Sequence, residues 1–336
     1  MSEAHKRQTI ILIALLILLL GVMALSMTTG DFKMSFTEFF RTLFGMGSQT
    51  EQMILYEFRM PRLLVTLLSG AALALSGALL QSITKNPLAD PGIIGINAGS
   101  GFTMVLLIMF IPVDSSTFVY VLPLFSLLGG ILTALLIFTL SYKHGEGINP
   151  VRMVLIGVGL AAALSGASIM MTTTFNKDQV EFVSTWFAGN IWGDTWPFVV
   201  LLGLIVIICL PAIFMRANVL NILNTHDHIS RGVGIHVARE NIVLVLLSVL
   251  LSSSAVAVSG GIGFIGLLGP HIAKSMVGPR HQLFMPLALL IGAILLALAD
   301  TLGRMLLQPE GIPAGIIVSI IGAPYFLYLM GKKTQF

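Results

Sequence analysis

Uninterrupted apolar runs long enough to cross a bilayer are the feature that most narrows what this chain can fold into. Ile10–Leu20 holds no polar residue, and Ile242–Leu251 is broken only by Ser248. Inside lipid every backbone N–H and C=O must be satisfied within the protein, so only helices and closed barrels span it. A barrel strand alternates apolar and polar residues with period two, and these runs do not alternate. The composition agrees: 56% of residues are hydrophobic and 10% charged, where a soluble domain carries roughly 25% charge. The chain is therefore read as all-α, with lipid as its solvent.

About 20 apolar residues cross the hydrocarbon core. On that measure ten spans are expected, near 9–28, 61–82, 92–112, 119–141, 151–173, 193–215, 241–259, 262–277, 283–302 and 313–331. The eighth is short and interrupted by Gly269 and Pro270. Residues 1–336 form one transmembrane domain. The intervals 29–60 and 216–240 are long enough to hold structured elements of their own. The first run follows His5, Lys6 and Arg7 without an A-x-A cleavage site and reads as an uncleaved span rather than a signal peptide.

Lys and Arg set the expected orientation. With the N-terminus inside, twelve of the 18 basic residues fall on inner segments and six, namely Lys33, Arg41, Arg59, Arg62, Lys177 and Arg304, on outer ones. An even span count then places both termini in the cytoplasm. Two sets of five spans would be antiparallel, as in the inverted repeats of transporters. The echo of Gly70–Gln81 in Ser254–Phe264 supports that arrangement only faintly.

Other chemistries fit poorly. The single cysteine, Cys209, excludes a disulfide framework or thiolate cluster. A net charge of +3 made of scattered basic residues gives no nucleic-acid footprint. Gly261–Gly266 reads GIGFIG but opens a membrane helix rather than following a strand, so it is no dinucleotide fingerprint. The chain has neither a GxxxxGK[ST] loop nor HExxH. His226, His228 and His236 read as solvated loop residues, not metal ligands; no cofactor is expected. Ionisable residues inside spans usually mark function. Here Asp300 and Arg304 lie one turn apart and can pair, and Asn97 lies within the third span, but no charge relay crosses the membrane. That argues against an ion-coupled secondary transporter, the rival reading, and the lack of a nucleophile–base pair argues against an intramembrane enzyme. Small residues crowd several spans, which lets helix backbones approach closely. The fifth holds Gly157, Gly159, Ala161, Ser165, Gly166 and Ser168, so one face of it packs or lines a passage.

Four blocks carry a resemblance. They are EFRMPRLLVTLLSGAALALSGALLQSITKNPLADPGIIGINAGSG at 57–101, VRMVLIGVGLAAALSGAS at 151–168 with WFAGNIWGDTW at 186–196, GGIGFIGLLGPHIAKS at 260–275, and LALADTLGRMLLQPEGIPAGIIVSIIGAPYFLYLM at 296–330. Together they resemble the FecCD-type permease subunit of iron-siderophore, haem and cobalamin ABC importers. The resemblance implies a non-catalytic permease of the cytoplasmic membrane that carries a ferric siderophore by alternating access, with cobalamin or haem as alternatives. Its implied partners are a second permease, two cytoplasmic ATP-binding subunits and an extracytoplasmic binding protein or lipoprotein. It also implies that Arg59, Arg62 and Arg304 meet acids of the binding protein, and that Asn86 and Leu88 narrow the cytoplasmic exit, where Pro87 and Pro91 stiffen the turn. Residues 216–240 match the family's coupling helices: Leu220, Asn221, Leu223, Asp227, Arg231 and Gly234 would face the ATPase. His226, His228 and Ser230 depart there from the usual Gly, Glu and Ala. Gly159, Ser165 and Ser168 would line the pathway.

Overall fold

A computed structural model describes residues 3–30, 34–92, 94–113, 116–143, 147–225, 227–307 and 311–331. The chain is helical almost throughout. Its long helices are α1 (Glu3–Thr28), α4 (Met60–Thr84), α6 (Ser116–Ser141), α7 (Pro150–Thr172), α9 (Trp196–Met215), α12 (Val237–Ser259), α14 (His281–Met305) and α15 (Ala314–Gly331). Shorter helices lie between them: α2 (Phe36–Leu43), α3 (Gln49–Met53), α5 (Ile96–Ile108), α8 (Lys177–Phe187), α10 (Ala217–Leu223), α11 (Asp227–Gly232) and α13 (Ile265–Val277). A π-helical turn, Ile54–Arg59, fuses α3 to α4, and a two-residue hairpin pairs Tyr142–Lys143 with Gly147–Ile148.

Local chemistry sets the boundaries. Ser35 with Glu38 and Ser48 with Glu51 form capping boxes on α2 and α3. Asn149 and Asn176 cap α7 and α8, each satisfying an otherwise orphaned helix N–H. The helix α4 ends where Lys85 turns left-handed, at φ 51°.

Among the described residues eight helices are long and apolar enough to cross a bilayer, two fewer than expected. The segments 92–112 and 262–277 each hold a shorter helix, α5 and α13, of 13 residues. Thirteen residues rise about 20 Å, short of the ~30 Å core. Pro91, Gly92 and Gly95 (φ 100°) delay the start of α5, while Gly260 (φ 74°) and Phe264 (φ 65°) delay that of α13. Non-helical backbone of this kind survives in a membrane only when protein surrounds it. The order of long helix, irregular segment and 13-residue helix thus occurs twice, at α4–α5 and α12–α13. The intervals 29–60 and 216–240 hold α2–α3 and α10–α11 as expected, whereas α8 had no counterpart in the sequence reading.

The axis of the fold is α4. Every residue from Ser69 to Thr84 is buried, and α14, α12, α13 and α9 pack around it. Its glycines set the distances: a methyl on Gly70 would overlap the Gly292 carbonyl of α14, and one on Gly77 would overlap the Gly266 carbonyl of α13. The helices α5, α6 and α7 form a flank joined through α6 to α12. Exposed apolar side chains cover α1, α7 and α9, the surface expected against lipid or another membrane subunit.

Candidate functional site

Polar chemistry gathers at the two ends of α4. At its start the three arginines singled out in the sequence come together. The π turn presents Arg59, and Arg62 follows one residue after Pro61. Arg304 arrives from the far end of α14, and Gly30 leaves space beside both Arg59 and Arg304. The carboxylate of Asp300, 4% exposed, lies between two of them. It accepts from Arg62 Nη2 at 2.8 Å and Nε at 3.2 Å, and from Arg304 Nε at 3.0 Å. The expected Asp300–Arg304 pair is therefore present, and Arg62 shares it from 238 residues away. Asp194 approaches Arg62 to 4.0 Å; desolvation raises its carboxyl above the ordinary value while the charge of Arg62 opposes the rise. The cluster also grips the end of α1. Arg304 Nη2 donates to Ser26 Oγ at 2.8 Å, Arg304 Nη1 to the Thr29 carbonyl at 3.3 Å, and Arg59 Nη1 to the Met27 carbonyl.

At the other end, α10 packs against the start of α14, and α11 packs against α10 and α12. Leu220 and Leu223 are buried in the main core. Asn221 is turned inward: its Oδ1 accepts from the His281 backbone N–H at 3.0 Å and lies 2.8 Å from His281 Nδ1. Its Nδ2 donates to Gln282 Oε1 at 2.7 Å. The buried His281 ring meets Ser82 of α4 through Nε2 at 2.7 Å. Three of the six residues expected to face a partner thus hold α10 in place instead. The outward surface is α11 and the turn after it, where Ile229, Arg231 and Val233 are exposed and Gly234 takes φ 85° in open space. Asp227 opens α11, and its side chain, like residue His226, lies outside the described atoms. Ser230, which departs from the family pattern, is fully buried and donates to the Ile222 carbonyl at 3.0 Å, tying α11 to α10.

The segment after α4 belongs to this end. Asn86 Oδ1 accepts from the Leu88 N–H at 2.9 Å, closing a tight turn in which both side chains are half-buried. Lys85 Nζ donates to the Thr225 carbonyl at 2.9 Å, linking that turn to the α10–α11 loop. Deeper in, the two helix–break–helix units, α4–α5 and α12–α13, are cross-tied. Gln81 donates to the Gly266 carbonyl at 3.2 Å and accepts from Lys274 Nζ at 2.8 Å. Asn97 donates to the Ile262 carbonyl at 3.1 Å.

On α7, Gly159 and Gly166 face open space and Ser165 is half-buried. Ser168 sits on the packed side, its hydroxyl donating to the Leu164 carbonyl at 2.8 Å, so it does not share the open face with Gly159. Sequence reasoning missed Asp194, His281 and Gln282. Polar residues opening an otherwise apolar helix, as His-Gln does at 281–282, were the available signal.

The FecCD transport family model matches residues 15–332. The iron(3+)-hydroxamate import system permease protein FhuG of Bacillus subtilis is 37% identical, covering 99% of this chain and all of its own. The Fe(3+)-citrate import system permease protein YfmE of the same organism is 36% identical, covering 99% and 98%. A solved metal-chelate type ABC transporter in an inward-facing conformation superposes with a TM-score of 0.82 at 29% identity, covering 97% of this chain and 99% of its own.

Proposed function

Because the chain belongs to the FecCD transport family, we propose that it carries a ferric siderophore or a related iron chelate across the cytoplasmic membrane as the permease of an ATP-driven importer. The observation that carries this is end-to-end likeness to permeases named for ferric hydroxamate and ferric citrate. The chain is a multi-pass membrane protein and a transport subunit; hydrolysis of ATP falls to two cytoplasmic partner subunits.

In this reading the arginine end faces outward and both termini face the cytoplasm, as the Lys/Arg bias favours. Arg59, Arg62 and Arg304 receive carboxylates of a substrate-binding protein, since guanidinium groups pair carboxylates in bidentate fashion. Asp300 keeps Arg62 and Arg304 close together before that partner arrives. The open face of α7 around Gly159 meets a second permease, identical or paralogous, with the substrate passing between the two and Ser165 at the edge of that passage. On the cytoplasmic side Arg231, Gly234 and Asp227 contact the ATPase. Movement there reaches α14 through Asn221 and His281, α4 through Ser82, and the Asn86–Leu88 turn through Lys85. That turn is the exit gate. The hydrogen bonds named above support each step, because they join the moving loop to the helices it would have to move.

Proteoliposomes holding this permease with its ATPase and binding protein test the reading. Uptake of ferric hydroxamate that needs internal ATP and survives an ionophore is the expected outcome. Transport that collapses with the ionophore while ATP remains would point to an ion-coupled carrier. ATP-dependent uptake of haem or cobalamin, but of no ferric chelate, would overturn the substrate assignment alone.

A further inference from the structure

The short helix α2 presents an apolar face that the transport cycle does not use. Phe36, Phe40 and Phe44 recur every four residues, which places them within an arc of about 80° on a helix. They are 55%, 51% and 72% exposed. The adjoining Phe39 and Leu43 pack on the protein core, so only part of the apolar arc is covered. Glu38 and Arg41 occupy the opposite side, where Arg41 pairs with Glu51 of α3 at 3.1 Å, and Thr37 lies at the border between the two. Met46, Met53 and Phe58, which follow in the chain, are each at least half exposed as well.

Continuity decides what covers this face. The helix α1 is apolar and largely exposed along its length, with Ile17, Leu20 and Leu25 bare, so in this membrane protein it faces lipid. The two helices α1 and α2 pack against each other, which brings the phenylalanine face beside that lipid-facing surface. A helix with aromatic residues on one side and charges on the other settles in the plane of the bilayer interface, its apolar side some 5–10 Å below the headgroups. We propose that α2 is such an in-plane anchor, with Phe36, Phe40 and Phe44 in the lipid interface and the Arg41–Glu51 pair in water. The π turn carries Phe58 into the same layer, and Arg59 follows directly. The anchor thereby fixes the height of the arginine cluster at the membrane surface, whichever side that surface faces.

Single nitroxide labels at Phe36→Cys, Phe40→Cys and Phe44→Cys test this in a Cys209→Ser background, using the full chain in phosphatidylethanolamine/phosphatidylglycerol bilayers. Arg41→Cys, exposed on the polar side, is the reference. Collision with oxygen should exceed the Arg41 value several-fold at the three phenylalanine positions, and collision with a water-soluble nickel chelate should fall several-fold below it. Nickel-chelate collision equal to that at Arg41 would put the face in water and overturn the proposal. Shielding from both agents would overturn it too, because a protein surface would then cover the face. Should the cysteine variants fail to assemble, Phe40→Trp replaces them. Its added emission should be quenched most by lipids brominated near the headgroup, and an absence of quenching would refute the anchor.

Discussion

Replacing Asp300 by asparagine leaves Arg62 and Arg304 facing each other with no carboxylate between them. The wild-type carboxylate accepts from both at 2.8–3.2 Å and is 4% exposed, while each arginine side chain is only about a fifth exposed. Removing one partner of a buried ion pair costs about 3–5 kcal/mol, because the remaining charge stays desolvated. Two features favour the lower end: asparagine retains one acceptor oxygen, and long arginine stems can swing their charges toward water. A loss of about 3 kcal/mol is expected, or roughly a hundredfold in the unfolding equilibrium. Titrating the detergent-solubilised protein with SDS and following tryptophan emission measures it. The decisive companion is the triple variant Arg62→Met, Asp300→Leu, Arg304→Met, which removes all three charges at once. Apolar replacement of a whole buried charge cluster is often neutral or stabilising, so the triple variant should be more stable than Asp300→Asn while losing binding-protein docking. Were Asp300→Asn to unfold at the wild-type SDS fraction, or the triple variant to be the weaker of the two, the account of this cluster would be wrong.

Gly77→Ala should destabilise by about 1–3 kcal/mol through overpacking, since its methyl overlaps the Gly266 carbonyl; wild-type thermal stability would refute that close approach. Asn221→Ala strands the backbone N–H of His281 and the amide oxygen of Gln282. A loss of about 2 kcal/mol or more is expected, along with ATP hydrolysis that no longer drives uptake; preserved uptake would remove Asn221 from the coupling path. Ser230→Ala gives up the hydrogen bond to the Ile222 carbonyl, worth about 1 kcal/mol, and should leave uptake intact. Ser230→Leu cannot fit its fully buried position and should abolish ATPase association, which a pull-down with the ATPase would measure.

Hydropathy located the long helices well because lipid imposes one simple demand, continuous apolarity over a fixed length. It overestimated helix length at 92–112 and 262–277 for an equally physical reason. Those segments are apolar enough, but Pro91, Gly95 and Gly260 break the backbone, and hydropathy counts side chains rather than φ angles. The arginine cluster was half legible. Arg304 and Asp300 sit one turn apart, so their pairing follows from helix geometry, whereas the reach of Arg62 to Asp300 depends on how α4 packs against α14. At the opposite end the motif named Leu220 and Asn221 but not which way they point. Pattern alone does not separate a residue that meets a partner from one that holds its own helix in place, and burial does. The departure at Ser230 becomes intelligible only with its Ile222 acceptor in view.

The glycine contacts along α4 have a mechanical consequence. Where Gly77 meets Gly266 and Gly70 meets Gly292, main chain lies on main chain with no side chain between. Interlocked leucines must leave their rotameric wells before two helices can slip, and that exchange sets a barrier. A smooth seam has no such teeth. The polar ties beside the seam, from Gln81 to the Gly266 carbonyl and from Lys274 to Gln81, add directional bonds that shear of α13 along α4 must break. At the points of closest approach, register is thus held by hydrogen bonds rather than by interlocked side chains.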